Sequence, residues 1–307
     1  MAKTKKKTNH LPSTSNGRSI KGNILFAVVF VLFLIYALSL LAPFVFLLFN
    51  SLKSPTEYLT DSIEGNIFNL PDEWRFSNFG KVFSEMKIMN SYGEYIYFPT
   101  MLLNSLWFSV VTTLGGLIAS SFTAYVIAKY KFKLRGFFYG IAIVTMTIPI
   151  IGATGAMFKL TYDLGIYNTP LYPILTSLGG FGFNFLVLYG FFKNISWNYA
   201  EAVFVDGGGH FTAFFRIMLP QIFPALLTLG IISFIGAWND YTTPLLFLPD
   251  YPTIASGIYN VQVHLKRGGD YPQYFAAITI SIIPIITLFA VFSDSLMKNL
   301  SIGGLKG

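Results

Sequence analysis

Six long apolar blocks, free of basic residues and almost free of acidic ones, constrain this chain more than any other feature. They are Ile24–Phe49, Met101–Ala128, Phe137–Phe158, Leu171–Phe192, Pro220–Tyr241 and Tyr274–Ser293. The first acidic residue within them is Asp240, near the end of the fifth block. A helix needs about 20 apolar residues to cross about 30 Å of hydrocarbon. The sequence therefore predicts an all-α membrane protein with six transmembrane helices.

The composition supports a membrane protein and gives no sign of catalytic chemistry. Of the 307 residues, 53% are hydrophobic and 11% are charged, whereas soluble domains carry about a quarter charged residues. Cysteine is absent and the three histidines are isolated, so we expect no disulfide, no metal site and no cofactor. No phosphate-binding Gly-x-x-x-x-Gly-Lys-Ser/Thr motif is present. We expect a non-enzymatic chain with no catalytic residues.

The distribution of basic residues predicts how the helices are oriented. A net charge of +7 would by itself also fit a nucleic-acid partner. Most Lys and Arg residues, however, precede the first block or follow the second and fourth: Lys3, Lys5, Lys6, Lys7, Arg18, Lys21, Lys129, Lys131, Lys133, Arg135, Lys193 and Arg216. Because cytoplasmic loops carry the excess of basic residues, both termini are expected in the cytoplasm of a multi-pass cell-membrane protein. No nucleic-acid partner is expected.

The blocks divide the chain into five parts. Residues 1–23 are predicted to be a disordered cytoplasmic tail, and the apolar run of residues 24–49 is too long for a signal peptide. Residues 50–99 form an external segment, either a cap for an extracellular partner or a plug over the bundle. Residues 100–297 contain the other five helices, and residues 298–307 form a cytoplasmic tail. The tail either contacts a cytoplasmic partner or is a frayed terminus.

Residues 193–219, between the fourth and fifth blocks, are predicted to form two short helices at an angle. The first is Asn198–Asp206, three glycines break it from Gly207 onward, and the second is His210–Leu219. Pro220 is expected in the first turn of the fifth transmembrane helix.

The side chains of this loop suit a mechanical contact with another protein. Apolar residues would fill a groove, namely Ala202, Val203, Val205, Phe211, Phe214 and Phe215. Glu201 and Asp206 would pair with an arginine or a helix N-terminus of the partner. An amphipathic segment lying on the membrane surface explains the same residues, so the pattern alone leaves both interpretations open.

The spacing within this loop resembles a known motif. Glu201-Ala202-Val203 is followed after three residues by Gly207 and after nine more by Ile217–Pro220. This is similar to the "EAA" loop of the permease subunits of binding-protein-dependent ABC importers. The resemblance implies a type I importer permease fold whose cytoplasmic coupling-helix loop, 199–220, contacts an ATPase. It assigns the contact to Glu201, Ala202, Asp206, Gly207, Ile217 and Pro220. Val203 replaces a usual alanine, and Gly208 and Gly209 are expected to loosen the loop.

Other segments are similar to the carbohydrate branch of that family, which includes the six-span permease of the maltose system. They are Asn104–Leu106, Ala124–Lys129, Ile148-Pro149, Trp238–Tyr241 and Gly304–Gly307. The resemblance implies one half of a transmembrane path for a sugar, most simply an oligosaccharide. The implied partners are a second permease subunit, two ATPase subunits that bind ATP, a periplasmic or extracellular sugar-binding protein, and the lipid bilayer. The alternatives are import of another solute and a secondary transporter that works alone.

Polar residues inside the blocks are candidates for the solute path, because such groups face a partner or a wet cavity. They are Asn104, Ser120, Ser121, Thr123, Asn184, Ser233, Asn239 and Asp240. For Asn184 we favour a bond between helices over contact with sugar. Trp238 and Tyr241 beside Asn239 and Asp240 would suit a sugar, although helix packing or an interfacial belt is the favoured interpretation. Asp240 is expected near the outer interface, as a gate or loop anchor.

Overall fold

The computed structural model describes residues 20–148, 152–265 and 269–302, with side chains from residue 24 to residue 293 within those ranges. The helices are α1 (Ile20–Ser51), α2 (Pro55–Glu64), α3 (Ser77–Glu85), α4 (Phe98–Lys129), α5 (Arg135–Thr147), α6 (Ala153–Asp163), α7 (Leu171–Ser177), α8 (Phe183–Asn194), α9 (Asn198–Val205), α10 (His210–Gln221), α11 (Phe223–Asn239), α12 (Thr242–Phe247), α13 (Ile254–Leu265) and α14 (Tyr271–Ile302). A small antiparallel sheet pairs β1 (Lys87–Met89) with β2 (Tyr95–Tyr97), and Ile88 lies opposite Ile96.

Some predictions concern residues outside these ranges. They are residues 1–19 of the N-terminal tail, the proline at 149, and residues 303–307 of the C-terminal tail. The other residues of the two predicted tails, 20–23 and 298–302, lie in helices.

Three helices of the described chain are long and apolar enough to cross a membrane: Ile24–Ser51, Phe98–Lys129 and Tyr271–Ser293. A fourth candidate is the pair α10 and α11, which are bent by 76° at the break between them. The first, second and sixth predicted spans thus each correspond to one long helix. The fifth predicted span contains α11, which begins at Phe223 rather than at Pro220.

The third and fourth predicted spans are not continuous helices, so the prediction was wrong on this point. The third block is divided between α5 and α6. Helix α5 ends before Ile148, whose extended backbone (ψ 111°) is the conformation favoured immediately before a proline. The fourth block is divided between α7 and α8. The intervening Gly180 and Gly182 have φ of 62° and 134°, a region that favours glycine.

The chain divides into two compact units, Met1–Phe46 and Leu47–Gly307. Apolar side chains of the first unit are largely exposed along α1, from Ile24 to Leu41. Such a surface requires lipid or another protein around it.

Among the described residues of the second unit, buried apolar side chains form three clusters, and α4 contributes to all of them. The largest joins α4 to α8, α9 and α10, and includes Phe192 and Met218. Another joins the start of α4 to α3, α11, α13 and α14, and includes Phe98 and Trp238. The third surrounds Phe108. Helix α4 is therefore the central element of this unit.

Residues 52–97, here called the connector, fold into α2, α3 and the sheet. The Ser54 hydroxyl accepts the Glu57 N–H, and the Glu57 carboxylate accepts the Ser54 N–H, which caps α2 at its N-terminus. The Gln273 amide of α14 donates to the Lys81 carbonyl at 3.1 Å. The connector is thus an ordered part of the second unit, and its role as cap or plug stays a prediction.

Candidate functional site

The elbow, defined as α9, α10 and the residues between them (Asn198 to Gln221), contains the predicted coupling motif. Helix α9 ends where the sequence predicts a break. Gly207 has φ of 80°, and its N–H donates to the Phe204 carbonyl at 3.1 Å. The Gly208 N–H donates to the Val203 carbonyl at 2.8 Å. This Schellman pattern satisfies the last carbonyl groups of the helix and fixes the direction of the chain as it leaves.

Gly208 tightens the turn rather than loosening it. A Cβ atom at this position would lie 2.5 Å from Val203 Cγ1 and 3.0 Å from the Val203 carbonyl oxygen. Gly209 has no such neighbour, since nothing lies within 4 Å of the corresponding position. The expectation of a loose elbow is therefore wrong at Gly208, because close approach to the preceding helix requires a residue without a side chain.

Helix α10 continues past the predicted end of the second short helix. It contains a π-helical turn at Ala213–Met218, in which the Leu219 N–H donates to the Phe214 carbonyl. This wider turn accommodates Pro220, whose ring would meet the carbonyl four residues back in a regular helix. The Gln221 side-chain amide donates to the Ile217 carbonyl at 3.0 Å. The expected place of Pro220 is taken by Pro224, which lies in the first turn of α11.

One face of the elbow is buried against α4 and α8. The side chains of Ala200, Ala213 and Met218 are fully buried. Phe214 is 3% exposed, and its ring lies 4.6 Å from that of Phe122 on α4. The prediction that Phe214 projects toward a partner is therefore wrong. The aromatic rings of α4 provide an apolar surface that covers it.

The opposite face of the elbow is exposed. It consists of Tyr199, Glu201, Ala202, Val205, Asp206 and Phe211, here called the elbow face. Val205 and Phe211 are 86% and 74% exposed. Within the described residues, neither the Glu201 nor the Asp206 carboxylate forms an ion pair. The elbow face thus combines apolar side chains with unpaired negative charge.

Sequence reasoning missed the residues that attach the elbow to the end of α4. The Tyr130 hydroxyl shares a hydrogen bond of 2.8 Å with His210 Nδ1. The Lys129 ammonium donates to the Ile195 carbonyl, just before α9. Nothing in the local pattern indicates these contacts, because Tyr130 and His210 are 80 residues apart.

The polar candidates inside the helices are mostly occupied by internal hydrogen bonds. The Asn184 amide of α8 donates to the Ser233 hydroxyl of α11 at 3.1 Å, which confirms the favoured bond between helices. The Asn104 amide donates to the Pro252 carbonyl at 3.0 Å. The Ser121 and Thr123 hydroxyls donate to carbonyls of their own helix. These bonds explain the polar groups without a solute.

The four residues from Trp238 to Tyr241 do not form one surface. Trp238 is 3% exposed, and its indole N–H donates to the Ser281 carbonyl of α14 at 3.1 Å. Asn239 is exposed and its amide donates to a carbonyl of its own helix. The Asp240 carboxylate accepts the Thr243 N–H at 3.0 Å, and the Tyr241 ring stacks on that of Tyr259 at 4.6 Å. Helix packing explains Trp238, and the geometry of Asp240 is that of a loop anchor.

A groove of about 660 Å³ lies between α4, α10, α11 and α14. Apolar side chains such as Leu114, Phe215 and Leu226 line most of it. The lining offers few partners for hydroxyl groups, so this groove does not suit a sugar.

The fold and the elbow together define a mostly helical protein with long apolar helices and an ordered, surface-exposed elbow between two of its apolar segments. Residues 114–301 match the family model described as "binding-protein-dependent transport system inner membrane component", and the chain belongs to that family.

Characterised relatives cover nearly the whole chain. The chain is 28% identical over 280 residues to the diacetylchitobiose uptake system permease protein of Streptomyces coelicolor, covering 90% of this chain and 88% of that one. It is 28% identical over 269 residues to the arabinooligosaccharides transport system permease protein of Halalkalibacterium halodurans, covering 86% and 91%.

Among solved structures, a chain of a bacterial ABC transporter involved in the import of the acidic polysaccharide alginate superposes with a TM-score of 0.72. The identity is 24%, and the alignment covers 90% of this chain and 98% of that chain. At this identity the likeness shows a shared fold.

Proposed function

We propose that this chain is the permease subunit of an ATP-driven importer and forms half of the transmembrane path for an oligosaccharide. The observation that carries the proposal is the elbow, an ordered pair of helices buried on one face and exposed on the other. Family membership and relatives named for oligosaccharide transport support the solute class. ATP hydrolysis is assigned to a separate partner subunit.

The elbow suits the transfer of a displacement rather than a flexible attachment. Its buried residues, such as Ala213 and Met218, lie in the same cluster as Phe192 at the end of α8. Close-packed interiors transmit displacement because they contain little free volume. A socket in an ATPase that holds Val205 and Phe211 would therefore move the ends of α4, α8 and α11 when it moves.

The charge on the elbow face determines the chemistry of the expected socket. The carboxylates of Glu201 and Asp206 are exposed and would pair with basic side chains of the partner. Arginine suits this role best, because its guanidinium group can donate two hydrogen bonds to one carboxylate. Ala202 and Val205 lie beside them and would be desolvated on contact. Charge pairs at such a contact fix the orientation of the elbow in the socket more than they add affinity.

The contact between the elbow and the ATPase would drive the transport cycle. ATP binding would close two ATPase subunits, and each would move the elbow of one permease subunit. This chain and a second, related permease would then open the path outward to a sugar-binding protein. The basic residues of the N-terminal tail, those after α4, and Lys193 and Arg216 support an orientation with the elbow and both termini in the cytoplasm.

The proposal includes two broken spans. Helices α5 and α6 form one of them and α7 and α8 form the other, which brings the number of spans to six. Broken helices are tolerated in membranes where their free backbone groups are buried in protein or line a cavity.

The absence of cysteine allows a direct test of this topology. A single cysteine replacing Lys133 or Tyr199 should react with an impermeant maleimide only from the inside, and one replacing Glu73 only from the outside. Reaction of position 199 from the outside would overturn this topology.

The coupling role is tested by reversing the charge or removing the apolar anchor of the elbow face. Glu201→Lys and Phe211→Ala should each lower the amount of ATPase that purifies with the chain, by roughly five- to thirtyfold for interface anchors. The matched controls are Glu85→Lys on α3 and Phe137→Ala on α5, both at exposed positions outside the elbow. ATP-dependent uptake of labelled diacetylchitobiose, arabinotriose and raffinose should fall in parallel. Full ATPase retention by both elbow variants would contradict the proposal.

A further inference from the structure

A cluster of aromatic rings joins the end of α4 to both arms of the elbow. The Tyr130 ring lies 5.5 Å from the Trp197 ring and 5.5 Å from the His210 ring. The His210 ring, at the start of α10, lies 4.9 Å edge-on to the Phe204 ring of α9. Tyr130 and His210 therefore lie where the two arms of the elbow meet.

A hydrogen bond gives this cluster a defined geometry. The Tyr130 hydroxyl and His210 Nδ1 are 2.8 Å apart, and a bond of this length fixes the distance between the two rings. His210 is exposed and Tyr130 is half-buried, so the bond contributes little to the stability of the core. Its main effect is on the position of α10 relative to α4.

The Tyr130–His210 bond matters because it connects the elbow to α4, which packs closely against other helices. The elbow is covalently continuous with α8 and α11, whereas α4 is distant in the chain. The Tyr130–His210 bond is a polar link to α4, beside the apolar contact of Phe214 with Phe122. Helix α4 is also in close contact with its neighbours. A Cβ atom at Gly115 would lie 2.1 Å from Ser177 Oγ, and one at Gly180 would lie 2.8 Å from Thr123 Oγ1. A displacement of α4 thus passes directly to the segment between α7 and α8.

We propose that Tyr130 and His210 are positioning residues for coupling, which connect the elbow to α4 so that movement of the elbow also moves α4. This inference rests on the proposed function, because it assumes that the elbow is displaced by an ATPase. It adds a directional hydrogen bond to the apolar contact between the elbow and α4. It also assigns a role to His210, which the coupling motif does not include.

The test uses the assembled importer in proteoliposomes and measures solute imported per ATP hydrolysed. Tyr130→Phe removes the hydroxyl and keeps the ring, and His210→Phe removes the nitrogen and keeps a ring. Each should lower the ratio roughly two- to tenfold, the range expected for one hydrogen bond. His210→Asn places a polar atom near the position of Nδ1 and should keep most of the wild-type ratio. The solutes are labelled diacetylchitobiose, arabinotriose and raffinose, of which the one that the wild type imports fastest is used.

The double variant distinguishes a shared bond from two separate roles. Tyr130→Phe with His210→Phe should be no worse than either single variant, because both changes remove the same interaction. Unchanged import per ATP in both single variants would overturn the inference. So would a loss of assembled complex with an unchanged ratio, which is the result expected for a purely structural role. A wild-type complex that imports without ATP would instead overturn the proposed function, and this inference with it.

Discussion

The elbow and the connector are both ordered segments outside the long helices, but different contacts stabilise them. The elbow is held by apolar burial, with Phe214 and Met218 against α4 and α8, and by the glycine turn at Gly207. The connector also buries apolar side chains, with Val82 and Met86 in the cluster around Phe98, and it adds buried polar groups that the elbow lacks. The Lys53 side chain is fully buried and its ammonium lies 2.5 Å from the Asp61 carboxylate. The buried Asn78 amide donates to two carbonyls, each at 2.9 Å.

The two segments also differ in whether their charged side chains are paired. The carboxylates of the elbow face are unpaired within the described chain, which leaves them available to a partner. The connector contains an exposed pair, Arg75 with Glu73, and a buried pair, Lys53 with Asp61, which ties the residue two before α2 to the body of that helix. Buried polar bonds that are fully satisfied specify one arrangement of the chain, as in the connector, whereas the carboxylates of the elbow face remain exposed.

Replacing Lys53 by Met should have the largest effect. It removes the cation from Asp61, whose side chain is 13% exposed. Breaking a buried pair from one side costs about 3–5 kcal/mol. Amide hydrogen exchange in α2 should therefore become faster. The matched control is Arg75→Met, because the pair of Arg75 with Glu73 is 46% and 76% exposed and contributes at most about 1 kcal/mol. If the two variants increased the exchange rate in α2 equally, burial would not distinguish the Lys53–Asp61 pair from the Arg75–Glu73 pair.

Gly208→Ala tests the corresponding tight point in the elbow. The new Cβ would overlap Val203 Cγ1, and valine has one strongly preferred rotamer in a helix. Such overpacking costs about 1–3 kcal/mol, measured as a lower thermal unfolding midpoint in detergent. Gly209→Ala serves as the control and should be neutral. Adding Val203→Ala to Gly208→Ala should restore part of the loss. A Gly208→Ala protein as stable as Gly209→Ala would contradict the close contact.

The Asn184–Ser233 bond tests polar contacts inside the helix bundle, between the two regions. Replacing both residues by Ala, separately and together, should give a coupling energy of about 0.6 kcal/mol, the average for such bonds in membranes. Uptake should keep its preference among sugars. A changed preference with no coupling energy would assign Asn184 to the solute path instead.

Glu201→Gln should change stability least. The carboxylate is exposed in the first turn of α9, so its loss should alter the free energy of unfolding by about 0.5 kcal/mol or less. Retention of the ATPase should nevertheless fall. A large loss of stability would place Glu201 among the structural charges, as Lys53 is, and would remove the contrast between elbow and connector.

Local patterns predicted much of the elbow. The break at Gly207 depends only on backbone freedom, and the end of α9 lies within one residue of its expected position. The same reasoning failed for Phe214, because Phe211, Phe214 and Phe215 are identical in type and nothing in their order shows which one meets the rings of α4. It failed for Pro220 because a wide helical turn accommodates a proline that a regular helix would exclude.

Long apolar segments have a lower free energy in lipid than in water, so the residues alone are enough to predict a membrane protein. They are also enough to predict where the elbow bends, because the backbone freedom of glycine is a local property. The remaining features depend on contacts between distant residues. At the break of the fourth block, Gly180 lies so close to Thr123 that a side chain would not fit, and the link from Tyr130 to His210 joins residues far apart in the chain. Such contacts depend on how helices pack, and no local pattern encodes which faces meet.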